Sequence, residues 1–518
     1  MIRRLSYFKT QKIIFFFALL VSALFNITFF TKLYHFGLLE NNHVIIWSAP
    51  FVFILLHIWA LNLLSLFTNA FTFRILLAFL LIVSAISSYF IDSFGTIIDK
   101  DMLINVVQTD TYEALGLITP KLILYSVLTF LGVFWIVFRM RLPSQSYKVE
   151  VLQKLIVTLI SLLIIAGTYM IVSKSYSSFF RNHKELRMYL NPFYPIASAS
   201  RLMYAKVKPV PTFQSIASDA TREEKAKKKL VVFILGETAR AQNFSLGGYE
   251  KPTNPLLSNK KDIVYLSNVA SCGTATAISV PCMFSKFERK EWNSDKEYYE
   301  NVIDVLMKTD VRVIWNDNNS GKSKGVASRV KEALYTNGKE YDEVLLNNFQ
   351  ARLDQSYKDT LIVLHQEGSH GPTYFQRYPD NFKKFLPTCD TQDLQKCSQE
   401  QITNTYDNTI LYTDYMINQT IELLKANEDK YETTLIYFSD HGESLGENGI
   451  YLHGLPYMIA PETQKHVPAL FYLSDAQKKE SLQKKAKDSF SHDNVFHTLL
   501  GLFEVKTSEY KPNLDMFN

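Results

Sequence analysis

Lys229–Thr238 reads KLVVFILGET, and Thr433–Gly442 reads TTLIYFSDHG. Each is an apolar run rich in β-branched and aromatic residues that ends at a small residue and then delivers an acid. Such runs, bounded by turn residues, predict strands buried on both faces, as in parallel sheets. Val311–Ser320 (VRVIWNDNNS) repeats the pattern and delivers Asp317 and Asn318. Asp359–Pro372 (DTLIVLHQEGSHGP) delivers His365 and then His370. Helical stretches such as 403–426 lie between them, which predicts a largely parallel α/β sheet. Ligands bind such sheets beyond the carboxyl ends of the strands. Glu237, Asp440 and His441, with His453 further on, are thereby aimed at one rim.

Taken singly, each of these residues reads as an ordinary turn. Together, Glu237, Asp440 and His441 form a mixed oxygen and nitrogen set suited to zinc, with a position left open for chemistry. Ser271–Ser285 reads SCGTATAISVPCMFS, two cysteines fencing a run of hydroxyls. A threonine hydroxyl is a poor nucleophile at neutral pH, and a divalent metal stabilises its alkoxide. A disulfide across this stretch would clamp Thr274, Thr276 and Ser279, and a helix starting here would add positive potential for a phosphate. Pro281 must then sit near the helix start or kink it. The competing reading is a stapled, threonine-rich surface loop.

The remaining composition places this domain. The chain has 518 residues, 47% of them hydrophobic, and a formal net charge of +5. Apolar runs near 13–31, 44–66, 72–91, 121–138 and 151–172 are long enough to cross a bilayer as helices. The first lacks a small-residue cleavage site and reads as a retained span. Arg3, Arg4, Lys9, Lys12, Arg74, Arg139, Arg141 and Lys148 fall in alternate loops, while Lys32 and Lys100 are almost alone in the others. The positive-inside rule then puts the chain beyond Val172 outside the cytoplasm. The four cysteines, at 272, 282, 389 and 397, form two close pairs that fit two local disulfides in an oxidising compartment. The 92–120 loop shares that side. There Asn105, Thr109 and Glu113 recur at i, i+4 and i+8, one helical face that is either solvated or holds a lipid headgroup. Residues 173–212 interleave aromatic and basic side chains, as in an interfacial helix, and end in a linker marked by Pro209 and Pro211. The expected division is therefore a transmembrane domain (1–172), a bridging helix and linker (173–212) and an outer catalytic domain (213–518). The basic run 222–229 reads as a solvated face.

GETARAQNFSLGGYEKPTNP, SCGTATAISVPCMFS, HQEGSHGPTYF and SDHGESLGENGIYLHG resemble the phosphoethanolamine transferases that modify lipopolysaccharide, among them the mobile colistin-resistance enzymes. The resemblance runs over nearly the whole chain. It implies five spans, a bridging helix and a periplasmic alkaline-phosphatase/sulfatase-like domain, in the inner membrane of a Gram-negative bacterium. It implies Thr276 as nucleophile, and Glu237, Thr276, Asp440 and His441 as ligands of one tightly bound Zn2+, with a second zinc possible. It also implies the pairs Cys272–Cys282 and Cys389–Cys397, while a further disulfide of some members has no cysteines here. His370 and His453 take proton-transfer or phosphate-binding roles. Asn105, Thr109, Glu113, Asn319, His365 and Lys324 take substrate-binding roles, with Lys322 competing for the place of Lys324.

The implied reaction moves phosphoethanolamine from phosphatidylethanolamine to a lipopolysaccharide acceptor, foremost a lipid A phosphate, through a covalent threonine adduct. Diacylglycerol leaves, and the added ammonium lowers negative surface charge and hence polymyxin binding. A sulfatase would need a Cys- or Ser-x-Pro-x-Arg segment, which is absent. A phosphoglycerol transferase using phosphatidylglycerol shares the architecture, as does transfer to another glycan or a surface protein. A scaffold without chemistry would not keep a competent residue at every metal and nucleophile position. The sequence is silent on oligomeric state.

Overall fold

The structure, a computed structural model, describes residues 9–108, 111–142, 146–207, 209, 211–320, 322–336, 338 and 340–518. It divides into two compact units, Met1–Leu103 with Ile118–Ala205, and Ile104–Leu117 with Lys206–Asn518.

The first unit is helical. Its helices are α1 (Lys9–Leu24), α2 (Ile27–Leu39), α3 (His43–Leu64), α4 (Ala70–Phe94), α5 (Lys100–Gln108), α6 (Thr111–Gly116), α7 (Pro120–Phe134), α8 (Tyr147–Asn182) and α9 (Phe193–Val207), of which α6 and the end of α5 group with the second unit. Among the described residues four helices are long and apolar enough to cross a membrane, His43–Leu64, Ala70–Phe94, Pro120–Arg139 and Tyr147–Asn182. The first expected span, 13–31, is not one straight helix: α1 and α2 meet at a bend of 65° and make a fifth crossing only as a pair. Asn26 stands at the break: its side chain donates to the carbonyls of Val21 and Asn191 and accepts from the Asn191 amide, at 2.9–3.0 Å, tying the bend to a segment 165 residues away. His57 Nε2 also reaches the Asn191 carbonyl, at 3.2 Å. The helix that carries the fifth apolar run extends beyond it to Asn182, with no proline or glycine interrupting the sequence from Thr168 onward.

The second unit is built on a seven-stranded sheet of β1 (Lys228–Gly236), β2 (Ile263–Leu266), β3 (Arg312–Asp317), β4 (Glu332–Tyr335), β5 (Thr360–His365), β6 (Tyr431–Ser439) and β7 (Ala469–Leu473). The strand order is β2-β7-β6-β1-β5-β3-β4, with β7 antiparallel to β2 and β6 and the others parallel. Every residue of β1 is buried, which is why its sequence from Leu230 to Leu235 is continuously apolar rather than alternating, and Lys228 and Lys229, expected on a solvated face, are instead drawn into the strand and buried. On one face lies α11 (Gln399–Lys425), which follows α10 (Thr276–Met283) in the chain. Ser398 and Gln401 close a capping box at its start, a device that contributes about 1 kcal/mol. Ile402, Tyr406, Ile410, Ile417, Ile421 and Leu424 then point at the sheet with helical spacing. The opposite face buries Phe233, Trp315, Phe438 and Phe471 together with residues of α12 (Val495–Leu502). Disulfides join Cys272 to Cys282 and Cys389 to Cys397.

Register decides where the functional residues emerge. Gly236 pairs with Ser439, Leu235 with His365, and Asp317 with His365. The central strands therefore finish flush, and the next residues leave the sheet at a single rim.

Candidate metal centre and active site

Glu237 follows β1, Asp440 and His441 follow β6, and Thr276 opens α10 at its first helical position. One ligand atom from each of Glu237, Asp440 and His441 lies within 4.8 Å of the others, and all three residues are buried. The Thr276 hydroxyl is 3.1 and 3.3 Å from the two Glu237 oxygens and 3.3 Å from His441 Nε2. Ala275, the N-cap residue, offers no side-chain cap, so the positive end of α10 faces this acidic cluster.

The donor set fits a cation. His441 Nδ1 is 2.9 Å from the Gly442 carbonyl and must donate to it, which turns the Nε2 lone pair toward Glu237 Oε1 (3.3 Å) and Asp440 Oδ2 (3.4 Å). Asp440 Oδ1 accepts the amides of Thr238 and His441, while buried Oδ2 has no hydrogen-bond donor. Three lone-pair atoms turned on one point in a dry site repel one another unless positive charge stands between them. The titration of the protein groups says the same. Burial, then Glu237, pushes the Asp440 carboxyl up to about 7. Burial works against charge on His441 but is outweighed by Asp440 and Glu237, which raise it to about 10. Glu237 is held well below the usual carboxylate range, because His441 and its neighbours overcome the burial that would raise it.

Each ligand is fixed from behind. Asn319 donates to Glu237 Oε2 at 2.9 Å and to the Gln366 carbonyl at 3.1 Å. Thr238, whose hydroxyl donates to Glu237, has φ +60°, a left-handed conformation unusual for a β-branched residue. That conformation is held by Tyr406 of α11, whose hydroxyl donates to the Thr238 carbonyl at 2.7 Å. Gly368 has φ +53°, and a Cβ there would lie 2.7 Å from the Glu237 carbonyl oxygen. Ser439 accepts from the Ala239 amide at 2.7 Å and donates to the His441 carbonyl at 2.9 Å.

Around this cluster stand the other histidines. The His453 ring lies 4.4 Å from that of His441 and 5.4 Å from that of His370, centroid to centroid. His453 Nδ1 is 2.9 Å from Glu443 Oε2, and the other Glu443 oxygen accepts from Tyr374 Oη at 2.5 Å. Burial, reinforced by His453 and Arg377, holds His370 well below its ordinary value despite Glu237 nearby. His365 is fully buried, with Nδ1 3.1 Å from Asp317 Oδ2 and Nε2 without a hydrogen-bond partner. Burial opposes its charge, but the Asp317 carboxylate raises it overall.

The remaining expected residues lie elsewhere. Lys324 lines a groove with Pro281, Ser285, Trp292 and Glu300, and Lys322 is exposed. Asn105 sits on α5 and is half-buried. Thr109 lies outside the described residues, and of Glu113 only the backbone, in α6, is described. Sequence reasoning missed Thr238, Ser439, Glu443, Tyr374 and His492. Only Glu443 carried a usable signal, being two residues beyond His441 in the same quoted stretch.

The family model described as phosphoethanolamine transferase EptA/EptB matches residues 56–207, and the one described as sulfatase matches residues 229–505. The phosphoethanolamine transferase EptA of Salmonella typhimurium is 43% identical over 464 residues, 85% of this chain and 84% of its own. The phosphatidylethanolamine transferase Mcr-1 of Escherichia coli is 37% identical over 522 residues, 95% of each chain. The solved structure of the integral membrane protein lipooligosaccharide phosphoethanolamine transferase A (EptA) from Neisseria meningitidis aligns with a TM-score of 0.91 at 34% identity, covering 97% of each chain. With a helical apolar half, a sulfatase-like sheet and kinship of this extent over almost its whole length, the chain belongs to the phosphoethanolamine transferases.

Proposed function

We propose that the enzyme transfers phosphoethanolamine from phosphatidylethanolamine to a lipopolysaccharide acceptor, foremost a lipid A phosphate, with Thr276 as the nucleophile. The observation that carries this reading is the Thr276 hydroxyl at the head of α10, 3.1–3.3 Å from Glu237 and His441. A zinc ion held by Glu237, Asp440, His441 and the Thr276 oxygen would lower the pKa of the hydroxyl and offset phosphate charge. Among the described residues, the other group of three metal-binding types is Cys272, Cys282 and Asp493, whose cysteines are joined in a disulfide.

In the first half-reaction, Thr276 Oγ1 gives its proton to His453 Nε2 and bonds to the donor phosphorus. The bond from phosphorus to the diacylglycerol oxygen breaks, and that oxygen takes a proton from His453 Nε2. Glu443 anchors the far side of the His453 ring and keeps Nε2 turned toward the reacting groups. In the second half-reaction an acceptor phosphate oxygen gives its proton to His453 Nε2 and bonds to the phosphothreonine phosphorus, and the Thr276 oxygen takes that proton as it leaves. Covalent catalysis of this kind predicts ping-pong kinetics. The membrane-spanning half and the likeness to the phosphatidylethanolamine transferase of Escherichia coli support this donor, and the likeness to the lipooligosaccharide phosphoethanolamine transferase of Neisseria meningitidis supports this acceptor class. The disulfides require an oxidising compartment, which agrees with an inner-membrane anchor and a periplasmic catalytic domain.

The test is incubation of full-length protein with phosphatidylethanolamine vesicles, followed by peptide mass spectrometry and measurement of diacylglycerol release. Phosphoethanolamine on Thr276, lost in Thr276→Ala, supports the reading. Absence of both adduct and diacylglycerol, with phosphoglycerol on Thr276 when phosphatidylglycerol is supplied, would replace the donor.

A further inference from the structure

The nucleophile and two of the metal-binding residues come from segments far apart in the chain, Val269–Met283 and Ser439–His441. His492, outside both segments, bonds to the backbone of each. His492 is 1% exposed and begins a turn directly after Phe490–Ser491, which pairs with Val269–Ala270. The Cys272 amide donates to His492 Nδ1 at 3.0 Å. Nδ1 is therefore the unprotonated nitrogen, and Nε2–H donates to the Ser439 carbonyl, also at 3.0 Å. The ring bridges the residue four places before Thr276 and the residue one place before Asp440. Ser279, on the same helix as Thr276, donates its hydroxyl to the Asp440 carbonyl and lies 3.2 Å from His492 Nδ1, closing the bridge into a triangle. The Phe438 ring meets His492 edge-on at 5.9 Å and limits its rotation.

We propose that His492 is a positioning residue for the transfer reaction: it sets the Thr276 hydroxyl in register with Asp440 and His441 by bonding simultaneously to the Cys272 amide and the Ser439 carbonyl. This rests on Thr276 being the nucleophile. A one-sided substitute keeps one bond and frees the other segment. The disulfide constrains the loop against itself but does not fix it to the β6 terminus, so it cannot replace the ring.

The experiment uses full-length protein in phosphatidylethanolamine vesicles, with His492→Ala, His492→Asn and His492→Gln beside wild type. Asparagine keeps an acceptor near the Nδ1 position, and glutamine keeps a donor near Nε2. The expected result for alanine is a 10- to 100-fold fall in kcat for diacylglycerol release and a comparable loss of zinc affinity by chelator competition, the range seen when a residue behind a metal ligand is removed. KM for the lipid should not change, and the two amide variants should fall between alanine and wild type. A variant that loses thermal stability while keeping wild-type kcat and zinc affinity would reduce His492 to a packing role and overturn the proposal. If alanine does not fold, the amide variants decide it: wild-type kcat and zinc affinity in both would overturn it equally. Wild-type protein that releases no diacylglycerol would sink the donor reading instead, and zinc affinity would still decide the role of His492.

Discussion

Replacing Glu443 by glutamine changes one oxygen to an amide nitrogen, at a residue that is fully buried and touches no metal-binding side chain among its bonds. The carboxylate takes two donors, Tyr374 Oη at 2.5 Å and His453 Nδ1–H at 2.9 Å. Glutamine can satisfy the tyrosine with its remaining oxygen, but its NH2 then confronts an N–H on the imidazole. The ring must either turn away or move its proton to Nε2, which removes the charge-assisted bond that lets Nδ1–H stay fixed while Nε2 exchanges a proton. A hydrogen bond to a charged group contributes about 1.5–3 kcal/mol. At about 1.4 kcal/mol per decade this is roughly a 10- to 150-fold fall in kcat. The assay is diacylglycerol release at saturating phosphatidylethanolamine, with KM and zinc content measured alongside. KM and zinc content should stay close to wild type, because neither the donor nor the metal is held by Glu443. A kcat within twofold of wild type would refute the assignment of His453 as the proton-transfer group. A parallel loss of zinc would refute the separation of Glu443 from the metal.

Gly368→Ala should destabilise the protein by about 1–2 kcal/mol through the left-handed backbone alone, and more through its 2.7 Å approach to the Glu237 carbonyl; an unchanged Tm would contradict both. Replacing Cys272 and Cys282 together by serine opens a loop of sequence separation 10 and should lower stability by about 2–3 kcal/mol, read from thermal unfolding. Burial lowers His492 from 6.5 to about 3, so the unfolded chain binds a proton that the native ring refuses. Stability present above pH 6.5 should therefore drain as pH falls toward 3, at up to about 1.4 kcal/mol per unit, and His492→Gln should flatten that limb of the Tm profile. Asn319→Leu removes the amide held against Glu237 and should weaken zinc binding about 10- to 100-fold in a chelator titration.

The sequence exposed what periodicity encodes and concealed what distant segments share. Glu237, Asp440 and His441 were readable because a buried parallel strand is a continuous apolar run, and the first polar residue after it must lie at the rim. Tyr374 meets Glu443 across 69 residues, and Cys272 meets His492 across 220, by single hydrogen bonds that leave no periodic trace. The break at Asn26 was hidden for the same reason. Hydropathy sees an apolar run, and only the fold brings Asn191 to it across 165 residues. The apolar run near 151–172 and the helix that carries it end at different places, because charge density rises at Lys174 before helix geometry fails at His183. A basic motif can name a phosphate ligand without saying which way the loop turns, and the loop seats Lys324 in the groove behind α10.

That asymmetry has a physical origin in the sheet. Side chains alternate along a strand, so slipping β1 against β6 by one residue would turn Glu237 away from Asp440 and reverse every core contact of Phe233 and Leu235. Core packing thus fixes the strands' termini without any help from the site, and selection on the apolar run is at once selection on ligand placement. Thr276 has no such guarantee, because it rides on a loop and an eight-residue helix outside the sheet. Its position has to be tied to the strand ends by polar contacts. They converge on Ser439, which bonds the Ala239 amide and the His441 carbonyl with its hydroxyl and receives His492 on its own carbonyl. A buried hydroxyl bonded on both sides resists movement, since freeing either partner strands a polar group away from water at about 1–3 kcal/mol. The Thr276 hydroxyl is therefore held by the same penalty that makes buried polar groups costly, whereas Glu237 and Asp440 are held by hydrophobic register.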